Sequence, residues 1–71
     1  MSREADFFIY LIERYARSKK TTAQCVLKEW DSLGLTELIF KMYELYHVER
    51  LQNAFDDIDA LIVESKNNNK A

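Results

Sequence analysis

The chain contains no proline and a single glycine, Gly34. These two residues are the strongest helix breakers, costing about 3 and about 1 kcal/mol in a helix interior, and glycine also supplies the turns that join strands in hairpins. A chain nearly free of both reads as helix along almost its whole length, with one marked stop at residue 34. The expected fold is all-α: a compact, single four-helix domain over residues 1–65, with helices at about 3–18, 22–33, 36–46 and 48–65. The remaining stretch, 66–71, is rich in asparagine and lysine, has nothing to bury, and reads as a disordered polar tail.

Periodicity and capping residues set each boundary. Ser2 predicts the first N-cap, with Glu4 and Asp6 in the opening turn, where carboxylates complement the helix dipole. Ala5, Phe8, Leu11, Ile12 and Tyr15 then share one face, and Phe7 and Ile9 widen the apolar arc to roughly 200°. Tyr10 falls on the polar side. Thr21-Thr22-Ala23-Gln24 has capping-box spacing, and Ala23, Val26, Leu27, Trp30 and Leu33 form the apolar face of the second helix, which Gly34 ends. Leu35 and Phe40 flank Thr36 as a hydrophobic staple flanks an N-cap. The third helix is the most apolar and is expected to be central. A stripe of Leu51, Ala54, Phe55, Ile58, Leu61 and Ile62 marks the fourth. One unbroken helix through both would swing the stripe by roughly 140°, so a corner is expected over Tyr46 to Glu49.

Size and charge narrow the function. A domain of 71 residues buries only about 60% of the surface of its unfolded form. With 48% apolar residues, the chain has apolar surface to spare, which implies covering by a protein partner or a second copy in a homodimer. The net charge of −2 argues against a general nucleic-acid or membrane binder. Basic residues do cluster in the first half, at Arg14, Arg17, Lys19, Lys20 and Lys28, and a small nucleic-acid-associated regulator using them is the alternative reading. The helices around Gly34 also have helix-turn-helix spacing, but the second of them offers one cation, Lys41, between Glu37 and Glu44.

Reactive constellations are missing. His47, the only histidine, reads as a corner residue of unknown role, without the Cys pair or second histidine of a metal set. Asp56 and Asp59 lie three apart but lack the glycine-punctuated loop of a calcium site. One glycine excludes glycine-rich phosphate loops. No catalytic residue, cofactor or metal is expected, and the chain reads as no enzyme. Cys25 stands alone, which fits a reducing compartment. The apolar run Phe7 to Ile12 is too short and too acidic at its start for a signal peptide or membrane span. A cytoplasmic protein is expected.

The segments Asp6-Phe7-Phe8-Ile9-Tyr10-Leu11-Ile12-Glu13, Tyr15-Ala16, Tyr43-Glu44-Leu45-Tyr46-His47 and Asp57-Ile58-Asp59 resemble a family of short bacterial helical proteins of unknown function, over about residues 4 to 63. Members are often encoded beside a second protein whose fold resembles ADP-ribosyltransferases. The resemblance implies a small companion of a toxin-like protein, and it assigns no catalytic residue. Members commonly carry a threonine after the histidine, where this chain has Val48. Both lines of reasoning lead to a protein-interaction module with Ile9, Tyr10, Phe40 and Tyr43 as its expected interface.

Overall fold

The computed structural model describes residues 2–68 and folds them into five helices: α1 (Arg3–Ser18), α2 (Ala23–Ser32), α3 (Thr36–Lys41), α4 (Tyr43–Tyr46) and α5 (Leu51–Asn68). Among the described residues there is no strand. Ser2 caps α1 as its position predicts, its hydroxyl accepting the Ala5 amide at 3.1 Å. The cap of α2 is Thr22, which accepts the Cys25 amide at 3.2 Å. That moves the cap one residue beyond Thr21, so the expected capping box with Gln24 is not the one used.

The same backbone device closes α1 and α2. After α2, the Leu35 amide donates to the Trp30 carbonyl at 2.8 Å and the Gly34 amide to that of Asp31 at 3.1 Å, with Gly34 at φ +72°. This six-to-one and five-to-two pair defines a Schellman cap. After α1, the Thr21 amide donates to the Ala16 carbonyl at 3.0 Å and the Lys20 amide to that of Arg17 at 3.1 Å. Here the left-handed residue is Lys20, at φ +59°. A side chain in that region costs roughly 1 kcal/mol or more, so the turn stores strain that glycine would not.

The third expected helix, 36–46, is two helices. At Met42 (φ −80°, ψ 9°) the amide reaches back three residues, to the Ile39 carbonyl at 3.1 Å, and the chain restarts as α4. A tightened turn of this kind needs neither glycine nor proline, which is why composition left it invisible. Thr36 is not the N-cap. Leu35 holds that position without a side-chain bond, while the Thr36 hydroxyl donates to the Asp31 carboxylate. Leu35 is buried and Phe40 exposed, so they do not form a staple. Nor is this segment central. It buries only Ile39 and Tyr46, whereas α1 and α5 bury four residues each.

The core closes around Trp30, which is fully buried. Its ring lies 5.9 Å from that of Phe8 and 5.6 Å from that of Tyr15, and Tyr15 meets Phe55 edge-on at 5.4 Å. Ala54, Phe55, Ile58 and Ile62 form the buried stripe of α5. The corner expected at Tyr46 to Glu49 is present: α4 ends at Tyr46 and helix resumes at Leu51, three residues later than predicted. The helix also runs past the expected tail boundary, through Lys66 to Asn68. Ser65 donates to the Leu33 carbonyl at 3.3 Å and Lys66 pairs with Glu29 at 3.4 Å, which ties this last turn to α2. Residues 69–71 of the expected tail lie outside the described residues.

Truncating Trp30→Ala should remove about 3–5 kcal/mol, a large share of the roughly 4–10 kcal/mol a domain of this size commands. The two left-handed positions should respond with opposite signs. Gly34→Ala meets no atom within 4 Å, so its loss of about 1 kcal/mol would come from the backbone alone. Lys20→Gly should raise stability by up to about 1 kcal/mol, less the added freedom of the unfolded chain. Urea or thermal unfolding of the three variants checks each value.

Candidate functional site

Four of the five residues singled out in the sequence come together on one flank of α1. The Tyr43 ring meets Phe7 edge-on at 5.6 Å, and Phe7 lies 6.4 Å from Tyr10. On its other side Tyr43 stacks on His47, with centroids 4.2 Å apart and planes within 4°. Phe40 packs on Phe8 at 5.5 Å and lines a hollow together with Tyr43. The helical spacing of Phe7 and Tyr10, three apart, and of Tyr43 and His47, four apart, aligns each pair along one face. The result is a continuous strip of rings, Tyr10–Phe7–Tyr43–His47, in which Tyr10 is 48% exposed, and Phe40, 38% exposed, lies beside it. The Arg14 guanidinium covers the Tyr10 ring at 5.6 Å.

Ile9 does not belong to this strip. It is exposed, but one residue of α-helix turns it 100° from Tyr10, toward the opposite flank of the core, and it makes none of these ring contacts. His47 sits at the corner, as its position suggested. Its Nδ1 reaches the Tyr43 carbonyl at 2.5 Å, and that carbonyl also accepts the His47 amide at 3.0 Å. Phe7 is the link that sequence reasoning undervalued. It was visible only as a residue widening the apolar arc, and its bridging role depends on where α4 comes to rest.

A second cluster joins α1 to α5. The Tyr15 hydroxyl donates to Asp59 Oδ1 at 2.6 Å, and Lys19 Nζ pairs with Oδ2 at 2.8 Å. Tyr46 similarly donates to Asp57 Oδ2 at 3.1 Å. Burial, and then the adjacent carboxylate, push both phenols well above the ordinary tyrosine range. A groove of about 360 Å³ runs beside Tyr15 between Val26, Ile62 and Val63, with Glu29 and Asp59 at its rim. Both carboxylates already hold lysines, Lys66 and Lys19. Each carboxylate of the groove is thus paired within the chain.

The remaining candidates are dispersed. Of the basic cluster, Lys19 is taken by Asp59 and Arg14 lies over Tyr10. Asp56 accepts Gln52 at 3.0 Å while Asp59 serves Tyr15, so the two do not face a common ion. Among the described residues, no group of three or more histidine, cysteine or carboxylate side chains is placed to hold a metal. Cys25 is exposed, and its thiol is drawn below its ordinary range by the Thr22 hydroxyl first, then by Thr21 and Lys28. The cap that starts α2 thus does what no local motif announced. Among the described residues, no helix is long and apolar enough to cross a membrane.

Residues 6–65 match the family described as protein of unknown function, DUF3791. No curated protein and no solved structure matches the chain.

The two buried phenols predict alkaline sensitivity. A tyrosine whose pKa is raised on folding keeps its proton in the folded state while the unfolded chain begins to ionise near pH 10. Its contribution is therefore complete below that pH and is lost as pH rises above it. Unfolding free energy should be flat from pH 7 to 9 and fall beyond 10. The double variant Tyr15→Phe, Tyr46→Phe should start lower at neutral pH and show a shallower alkaline decline, measured by urea unfolding across that range.

Proposed function

The chain belongs to the DUF3791 family, and from the surface it presents we propose that it is a non-enzymatic protein-interaction module. One observation carries this reading: the strip Tyr10–Phe7–Tyr43–His47, with Phe40 beside it, is contiguous and partly exposed. Single exposed apolar residues are ordinary, but contiguous patches mark docking surfaces. Rings centred 4.2 to 6.4 Å apart make Tyr10, Phe7, Tyr43 and His47 one patch. Leu38, Leu45 and Val48 add further exposed apolar area on the segments that follow α2. Tyrosine and histidine suit such a site because the ring buries area while its polar edge stays hydrated.

The occupant in this reading is a protein encoded nearby in a bacterial genome, toxin-like and held inactive or assisted by this chain in the cytoplasm. The exposed Cys25, with no second cysteine in the chain, is consistent with a reducing compartment. The adjacency implied by the sequence resemblance supports a companion role, and the aromatic strip supports docking.

Tyr10→Glu places a carboxylate at the exposed end of the strip, where a partner would bury it unpaired. It should leave helical content unchanged and weaken association by about 30-fold or more. Co-expression with the neighbouring gene product provides the measurement. Wild-type chain should co-purify and restore growth, and Tyr10→Glu should do neither. Failure of the wild type to co-purify, or full rescue by the variant, would remove the proposal. A monomeric mass by light scattering at micromolar concentration would exclude a homodimer as the alternative cover.

A further inference from the structure

At one end of the aromatic strip, α1 and the segment 40–44 enclose a shallow hollow of about 230 Å³, lined by Glu4, Phe40, Lys41, Tyr43 and Glu44. Its walls combine two aromatic rings with two carboxylates. Lys41 is the only cation there, and it is drawn to Glu37 at 2.9 Å. Neither Glu4 nor Glu44 takes part in an ion pair among the described residues. This contrasts with the groove beside Tyr15, where each carboxylate has its lysine.

That difference constrains what can cover the hollow. A wholly apolar partner would strip water from two carboxylates and return no compensating charge, which is costly. An acidic partner would add repulsion. A metal ion would find too few ligands, since no group of three donors occurs among the described residues. A long basic side chain satisfies both surfaces at once: its aliphatic stem lies along apolar rings and its charged head stays with carboxylates at the rim. We infer that the hollow between Glu4 and Glu44 receives an arginine or lysine side chain of the protein partner, and that the partner docks through a basic amphipathic segment whose apolar residues cover Phe40 and Tyr43. This deepens the interaction-module reading and rests on it. A second copy of the chain is the poorer occupant, because each copy carries a net charge of −2 and pairing two of them adds like charge.

Two synthetic amphipathic peptides with the same leucine pattern test the inference, one with arginine and the other with glutamate at every polar position. Titrations of the full chain would be followed by calorimetry and by the ring resonances of Phe40 and Tyr43. The arginine peptide should bind, shift those resonances, and weaken as salt is raised. The glutamate peptide should bind at least about tenfold more weakly. The double variant Glu4→Gln, Glu44→Gln changes two exposed residues, so its circular dichroism should be unchanged, and it should lose about tenfold in affinity for the arginine peptide. Equal binding of the two peptides, indifference to the double substitution, shifts confined to another surface, or no binding of either peptide would each overturn the inference. Its failure is distinguishable from failure of the module itself. If the native partner co-purifies with wild type and is lost with Tyr10→Glu, yet the double variant binds that partner normally, the docking surface stands and the basic segment does not.

Discussion

The indole of Trp30 lies wholly out of solvent against the rings of Phe8 and Tyr15, and in so short a chain little else is large enough to fill the space between α1 and α2. Its position determines much of what surrounds it. Because α2 delivers Trp30 inward, the next residues must turn at once, and the Trp30 carbonyl itself accepts the Leu35 amide in the cap. Because Tyr15 packs on the indole, its hydroxyl emerges beside α5, where Asp59 accepts it. The cost is one unanswered group: the indole Nε1 is buried without a hydrogen-bond partner among the described residues. The packing has to outweigh that loss, which for a neutral donor is about 1–3 kcal/mol.

Small size explains the division of labour between apolar and polar contacts. α5 contributes four buried residues and is then fastened at its middle and its end by side chains: Asp57 to Tyr46, Asp59 to Tyr15 and Lys19, Ser65 to Leu33, Lys66 to Glu29. The exposed ion pairs among these contribute little each. The two tyrosine bonds are partly buried and fix the rotation of α5 about its axis. That rotation turns Val63 outward while Ile58 and Ile62 stay inside.

The helices at 3–18 and about 23–32, the Gly34 stop and the corner after Tyr46 were all legible because each follows from a local rule: a capping hydroxyl, a 3.6-residue stripe, a left-handed glycine, a jump in phase. The break at Met42 was not, since a shift from four-residue to three-residue hydrogen bonding leaves no mark on composition. Lys20 was missed for a related reason. It does the work of a C-terminal glycine without being one, so its turn shows in backbone angles alone. The candidate site residues Tyr10, Phe40, Tyr43 and His47 were singled out from apolar excess and from position. Their assembly was not foreseeable, because the strip runs through Phe7, and which side of α1 that ring covers depends on tertiary packing. Ile9 shows the limit directly: adjacent to Tyr10 in sequence, it belongs to another flank.

The corners are all short. Four residues link α1 to α2, three link α2 to α3, and four link α4 to α5. Closing such loops costs little chain entropy, and helices that pack on their sequence neighbours assemble quickly, in microseconds to milliseconds for domains of this kind. The contacts that reach furthest along the chain, Tyr15 with Asp59 and with Phe55 and Lys19 with Asp59, all belong to α5. On sequence distance alone, α1 and α2 are expected to pair around Trp30 early, and α5, held by the longest-range contacts, to dock on them later.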